Sequence, residues 1–479
     1  MAQHSQKDLS PVEAQPPSHS LPSHRVPAPR FVAHYPKEDL QVIHRNAAGI
    51  DLAGRGAHFI ALEISETELE VIEVGGMTPD MTVWVEYLKS HAVTTVAMEA
   101  TGVYWIPVFD ALEKAGIEVF LVNPSHAKNV PGRPKDDKLD ARWLQKLHKF
   151  GLLAASFRPS EDIRPLQEFW HQRSKQVEFC GDAVRRQQRA LDMMNLRPHQ
   201  VISDLDGVTG QRIVDAIVNG ERDPVKLASY RDHRCHCTDE ELYAALTGYY
   251  QPHLVFALEI ARKDHLFHQA QIAQIDAQIL QHLTAIMPEN DDEITEAVSL
   301  ETHPVNQGKH PPPFNAGAMV TLFLGVDPTQ LPGIGGLTAL GLLSMLGYDM
   351  DKWKTDRHFG SYLGLAPVQK ISGGKRLSSR TRPGIHPAAV LFLQSAVATI
   401  RSDNAYGAFY RRLAARISKP KALYATAYKI AKMYYHLLKD GQEYVELGVQ
   451  DNEARYHAHQ VAAMRKRAKK LGFDLIEAV

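Results

Sequence analysis

The amino-acid sequence predicts an α/β domain near its start, then a long helical spacer, then a mainly helical C-terminal domain. Three observations carry that reading. Three short runs between Ala47 and Val74 alternate apolar and polar positions, with turn residues between them. From Pro79 to Phe150 the pattern switches between helical and extended periods. Residues 161–200 and 254–287 are long, polar-rich stretches at helical spacing with few glycines or prolines.

Taken in order, residues 1–44 are rich in Pro, Ser, His and Gln without an apolar period, and read as a disordered tail. The α/β domain, 45–155, opens with Ala47-Ala-Gly-Ile-Asp-Leu52, His58-Phe-Ile-Ala-Leu-Glu63 and Leu69-Glu-Val-Ile-Glu-Val74, an antiparallel meander. Met81, Trp84, Val85 and Leu88 give one apolar face to a helix over 79–90. Thr95-Val-Ala-Met-Glu-Ala100 is an apolar strand ending in a carboxylate, 104–115 a helix and Glu118-Val-Phe-Leu-Val122 another strand. Residues 136–150 form a helix with Leu139, Trp143, Leu144 and Leu147 on one side. A meander followed by alternating helix and strand predicts a mixed sheet flanked by helices, the arrangement of ribonuclease-H-like nucleases. The spacer spans 156–290, with a smaller helical region at 205–250 between its two long helices; Arg185, Arg186 and Arg189 lie on neighbouring turns of the first. Residues 291–318, with Pro311-Pro-Pro313, read as a linker. A second compact domain covers 319–445, and a basic helical tail, 446–479, contains Arg465-Lys-Arg-Ala-Lys-Lys470.

A chain of 479 residues, 44% hydrophobic, is long enough for about two or three separately cored domains. Lys and Arg number 54 against 55 Asp and Glu, so a nucleic-acid binder of this composition concentrates its basic residues locally. Three cysteines, Cys180, Cys235 and Cys237, argue against a disulfide scaffold and for a reducing compartment. The sequence has no apolar run of about 18 residues and no apolar signal core, so no membrane partner is expected and the expected location is the cytoplasm.

The chemistry-bearing residues begin with Asp51, inside an apolar strand where an acid is costly unless paired or metal-bound. A strand-end Asp in a turn with Gly54 is the alternative. Glu99 ends a buried strand and is well placed for a site; a helix-capping acid before Tyr104 is the alternative. In Lys135-Asp-Asp-Lys-Leu-Asp-Ala141, Asp137 and Asp140 lie i, i+3 on one helix face, and Lys135 or Lys138 could meet phosphate. Singly, that charge run reads as a solvated first turn. Together, two strand acids and a helical pair point to a divalent-metal site, because Mg²⁺ takes oxygen ligands and paired ions clamp the oxygens of a phosphodiester.

Two further stretches stand out. Leu331-Pro-Gly-Ile-Gly-Gly336 precedes an apolar helix over 337–346. It resembles a helix-hairpin-helix turn, in which Gly333 and Gly335 let backbone N–H groups approach a phosphate; a glycine turn capping a core helix fits equally. In the loop after Tyr362-Leu-Gly-Leu-Ala-Pro367, Ser372 precedes Gly373-Gly374, with Lys370, Lys375, Arg376, Arg380 and Arg382 around it. Such a serine is either an activated nucleophile beside phosphate-holding cations, or part of a plain turn on a basic DNA-binding loop; composition alone favours the turn. Cys235-His-Cys237 lacks a second pair at zinc-finger spacing and reads as ordinary residues before the helix that follows Thr238.

With these residues in view, the chain resembles the DEDD transposases of bacterial insertion sequences. Gly49-Ile-Asp-Leu52, Met98-Glu-Ala-Thr-Gly-Val-Tyr-Trp105, Val122-Asn-Pro124 and Lys135-Asp-Asp-Lys-Leu-Asp-Ala141 match its N-terminal domain. Leu331-Pro-Gly-Ile-Gly, Tyr362-Leu-Gly-Leu-Ala-Pro and Ser372-Gly-Gly-Lys match its C-terminal domain. The resemblance covers about residues 45–155 and 325–440. It implies a RuvC-like, ribonuclease-H-like domain whose acids, Asp51, Glu99, Asp137 and Asp140, bind Mg²⁺, and a nucleophilic Ser372 that forms a phosphoserine link to DNA. It further implies donor and target DNA, a structured guide RNA from the element, a homo-oligomer (dimer or tetramer) and a bacterial, nucleoid-associated setting. Departures are Gly54-Arg55 where the family often has a Lys, Arg380-Thr-Arg-Pro-Gly384 in place of Ser-Lys-x-Gly, and the long N-terminal tail. The rival readings are a junction nuclease that hydrolyses with activated water and a non-catalytic nucleic-acid-binding protein.

Overall fold

The structure, a computed structural model, describes residues 41–54, 57–64, 68–100, 102–123, 137–287, 309–368, 370–378, 381, 384–441, 458, 461–462 and 464–474, without the side chains of 137–139, 370, 376 and 378. Residues 1–40 of the expected tail, Lys135, Arg380, Arg382, most of the expected linker and part of the basic tail lie outside the described residues, as do the side chains of Asp137, Lys138, Lys370 and Arg376. The chain divides into two compact units, Met1–Phe157 and Arg158–Val479.

The first unit is built on a five-stranded sheet in the order β3-β2-β1-β4-β5. The strands are β1 (Ala47–Asp51), β2 (His58–Glu63), β3 (Leu69–Val74), β4 (Thr95–Glu99) and β5 (Glu118–Val122). β2 pairs antiparallel with both β1 and β3. Helices α1 (Thr78–Ser90) and α2 (Trp105–Lys114) carry the chain across to β4 and β5, which run parallel to β1. Strand alternation then sorts the side chains by face. Ala48, Ile50, Ile60, Leu62, Val96 and Met98 pack with Met81, Trp84 and Leu88 of α1 and Val108 and Leu112 of α2. The opposite face carries Ala97 and Val122 against Leu144 and Leu147 of α3 (Asp137–Lys149).

Gly49 lets α3 come close to that face. A Cβ there would lie 2.4 Å from the Ala141 carbonyl and 2.3 Å from the Gln145 amide nitrogen, so helix backbone occupies the space a side chain would need.

In the second unit, α4 (Arg164–Met193) and α8 (Pro252–Ile286) form a long antiparallel pair. Its direction follows from Arg173 meeting Asp276, Gln187 meeting the Ala261 carbonyl and His282 meeting the Asp162 carbonyl. Between them α5 (Val208–Val218), α6 (Pro224–Ala228) and α7 (Asp239–Leu246) build a local core of Leu191, Ile213, Val214, Leu227, Leu242 and Leu258. Thr238 and Glu241 start α7 as a capping box: Thr238 Oγ1 accepts from the Glu241 N–H at 3.2 Å and Glu241 Oε2 from the Thr238 N–H at 2.9 Å.

The C-terminal helices are α9 (Ala316–Leu324), α10 (Gly336–Leu346), α11 (Asp356–Tyr362), α12 (Pro387–Thr399), α13 (Ala405–Ala414) and α14 (Lys419–Asp440), around buried Phe359, Phe392, Tyr434 and Tyr435. Helix α9 begins inside the stretch expected to be linker, because the Asn315 side chain caps it by accepting from the Ala318 N–H. Where the sequence reads a serine loop, the structure has a hairpin of β6 (Lys370–Ser372) and β7 (Lys375–Ser378). Gly373 and Gly374 turn it with φ of 55° and 73°, the paired positive values that a type I′ turn demands. Among the described residues no helix is long and apolar enough to cross a membrane.

Candidate functional site

β1 and β4 are parallel neighbours with Ile50 opposite Met98, so Asp51 and Glu99 end adjacent strands at one edge of the sheet. They share the face that α3 covers, being two residues beyond Gly49 and Ala97. The sequence places Asp51 within an apolar strand; in the structure β1 stops at Asp51, which is half-buried, so it is a strand-end acid. Glu99 is buried, at 7% exposure.

Helix α3 crosses this face in the direction opposite to β1. The Lys149 carbonyl accepts from the Ile43 and His44 amides, and His148 Nε2 meets Thr95 Oγ1 at 2.8 Å. Gln145 donates to the Ala47 carbonyl, and Ala141 lies against Gly49. Each contact moves toward the helix start as it moves toward the strand end. The first turn of α3, with Asp137 as its first residue and half-buried Asp140, therefore lies at the sheet edge that carries Asp51 and Glu99. Among the described residues no group of three or more His, Cys, Asp or Glu is placed to hold a metal ion. The structure thus brings the strand ends and the helix start together but assembles no ligand cluster from described side chains.

The same edge holds a residue the motif reading passed over. A Cβ on Gly54 would meet the Tyr104 ring at 2.7 Å, and one on Gly102 would meet it at 3.2 Å. Tyr104, half-exposed, therefore lies against the loops that follow both acid-bearing strands. Its signal was its place in Ala-Thr-Gly-Val-Tyr-Trp just after Glu99, a stretch read as the start of a helix and as part of the family motif, with no role given to Tyr104 itself. Behind the edge, burial lowers the His148 imidazole pKa to about 4, helped by His44 stacked at 4.4 Å, so the ring that fixes α3 is neutral.

Ser372 is exposed at the tip of the hairpin, paired with exposed Lys375 across the turn. Ile371 and Leu377 are also exposed, at 61% and 70%. The glycines of Leu-Pro-Gly-Ile-Gly have packing reasons. A Cβ on Gly333, where φ is +84°, would lie 2.3 Å from the Ser395 carbonyl; Gly335 is the extended N-cap of α10. Gly336 crosses Gly317 so closely that a Cβ would lie 2.6 Å from its nitrogen. Cys237 is buried just before α7, and the Cys235 thiol meets Thr209 Oγ1 at 3.2 Å. Arg185, Arg186 and Arg189 line a surface cleft with Phe179 and His268, but Asp182 pairs with Arg185 and Asp264 with Arg186, which offsets most of its charge.

Two family models match the chain. The transposase model DEDD_Tnp_IS110 matches residues 48–196, a span that holds Asp51, Glu99, Asp137 and Asp140. The model for the transposase IS116/IS110/IS902 family matches residues 329–411, which hold the glycine turn and the Ser372 hairpin. No curated protein matches the chain. The two matches stand in the order in which the acids and the serine occur, and with them the chain belongs to the IS110-type insertion-sequence transposases.

Proposed function

We propose that this transposase cuts and rejoins DNA strands with Ser372 as nucleophile and with Asp51, Glu99, Asp137 and Asp140 as the ligands of Mg²⁺. The observation that carries the reading is the meeting of two parallel strand ends and an opposed helix start at one sheet edge, each bearing an acid of the set. The strand order, with its antiparallel edge and parallel half, supports a ribonuclease-H-like fold for the first unit. The donor set is all carboxylate oxygen, which suits a hard divalent cation; when bound, such an ion neutralises charge on phosphate oxygens.

The chain's own part is acid placement and nucleophile delivery. The edge of β1 and β4 fixes Asp51 and Glu99 on backbone that the sheet holds rigid, and α3 brings in Asp137 and Asp140. Ser372 Oγ attacks phosphorus and loses its proton; the bond from phosphorus to one bridging deoxyribose oxygen breaks, and that oxygen takes up a proton and leaves as a hydroxyl. Rejoining reverses the step: a deoxyribose hydroxyl attacks the phosphoserine and restores Ser372. Lys375, with Lys135, Lys138, Lys370, Arg376, Arg380 and Arg382 by sequence, would hold phosphate; backbone N–H groups near Gly333 and Gly335 would add to this. Donor and target DNA, an element-encoded guide RNA and a dimer or tetramer follow from the family resemblance.

Ser372→Ala is the deciding substitution. It abolishes the denaturant-resistant protein–DNA adduct and strand exchange, read on denaturing gels with DNA from the element's ends. Strand cutting that persists in Ser372→Ala at the wild-type rate overturns the serine route in favour of a hydrolytic nuclease.

A further inference from the structure

The hairpin that carries Ser372 leaves the helical body after α11 and returns to it at the start of α12. Two glycines stand at its feet, Gly364 and Gly384, with φ of +76° and +79°. A two-stranded hairpin has little stability of its own, and Ile371 and Leu377 on this one face solvent. Its direction is therefore set at its base. On the outgoing side the Leu365 and Ala366 amides both donate to the Gly360 carbonyl, at 3.1 and 3.2 Å. On the return side the His386 amide donates to the Leu363 carbonyl at 3.4 Å.

A side-chain pair joins the two sides. Tyr362 Oη and His386 Nε2 are 2.9 Å apart, with their rings 4.8 Å apart. His386 Nδ1 accepts from the Ala388 N–H at 3.2 Å, as the N-cap of α12. That bond leaves the ring proton on Nε2, which donates to Tyr362. Burial holds the imidazole neutral, with its pKa lowered to about 4. Tyr362 is anchored in turn: Trp353 lies 5.3 Å from its ring, and Tyr435 donates to the Trp353 carbonyl at 2.8 Å.

We infer that Tyr362 and His386 are a positioning pair, a clasp across the feet of the hairpin that fixes where Ser372 points. The inference rests on the reading of Ser372 as nucleophile. Attack needs the hydroxyl in line with phosphorus, and about an ångström of misplacement is enough to lower a rate about a hundredfold. The clasp supplies the orientation that the short hairpin cannot hold by itself.

Full-length Tyr362→Phe and His386→Asn test it, together with the double variant. Asn retains the helix cap but loses the imidazole link. Each single variant is expected to lose about tenfold in adduct-formation rate with unchanged DNA affinity and unfolding midpoint, and the double variant to lose no more than either. Hydrogen exchange is expected to speed up at the His386 amide and across 370–378 in each variant, with the Ala388 amide still protected in His386→Asn. Wild-type adduct rates and exchange in the single variants, or losses that multiply in the double variant, overturn the clasp. Full adduct formation by His386→Asn where His386→Ala fails reduces His386 to a cap and also overturns it. If Ser372→Ala still forms the adduct, the nucleophile assignment fails instead, and the exchange data still decide whether the clasp exists.

Discussion

Arg173 and Asp276 meet inside the α4–α8 pair at 2.6 and 3.2 Å, with 3% and 1% of their surfaces exposed. Burial pushes the Asp276 carboxyl up, and the Arg173 guanidinium opposes that shift. Arg173 also donates to the His310 carbonyl, tying the segment before α9 to the helix pair. Arg173→Ala therefore leaves a buried carboxylate without its cation and is expected to lower stability by about 3–5 kcal/mol in urea unfolding. Replacing both residues with apolar ones of similar volume restores most of that loss. Asp51 calls for the opposite outcome. Asp51→Asn is expected to lower magnesium-dependent strand cutting at least about a hundredfold while the unfolding midpoint falls far less than the activity, because on the proposed reading Asp51 serves the metal rather than the fold. A fall in stability that matches the loss of activity would make Asp51 structural. At this scale the acids stood out in the sequence only as a set, and Ser372 only through the family resemblance, since its composition reads as a plain turn. Tyr104 and the His386 cap did not stand out, because their roles depend on neighbours distant in the chain.

The elements matter through direction as well as extent. Helix α3 runs against β1, and Gly49 sets how close it comes. Gly49→Ala places a methyl within 2.3–2.4 Å of helix backbone, so α3 must lift. The expected result is a loss of about 1–3 kcal/mol, with a fall in strand cutting larger than the stability loss explains, since Asp137 and Asp140 ride on the lifted helix. His148 adds a pH dependence at the other end of α3. Its pKa is lowered from 6.5 to about 4, so folding favours the neutral ring. The resulting stability is fully present above about pH 6.5 and is lost as pH falls toward 4, to a limit of about 3 kcal/mol. Chemical unfolding at stepped pH is expected to show this fall in wild type and a flatter profile in His148→Gln. The helix and strand spans were legible from periodicity, and the order of meander, helix and strand pointed to a mixed sheet. The serine hairpin was missed because its strands are three and four residues long, too short for a period to show.

On the scale of the whole molecule, acids and serine lie in different compact units, Met1–Phe157 and Arg158–Val479. The first unit has its own two-faced core around the sheet. A fragment of residues 41–157 is expected to fold alone, with a mixed α/β circular dichroism spectrum and a cooperative melt, and to form no adduct with DNA because it lacks Ser372. A fragment that stays unfolded shows that the sheet depends on the second unit. The near-balance of 54 basic and 55 acidic residues implies that DNA affinity comes from local clusters, so its salt dependence reports the phosphates those clusters neutralise rather than the net charge of the chain.

The sequence by itself determined the kinds of element, the α/β-then-helical order and the family, since these are written in local periodicity and in short motifs whose residues are neighbours. Only the tertiary structure decided that β1 and β4 end side by side, that α3 returns antiparallel over Gly49, and that Tyr362 reaches His386 across the feet of a hairpin. Those facts depend on strand pairing, on close backbone approach and on hydrogen bonds between residues far apart in the chain, none of which a local pattern encodes.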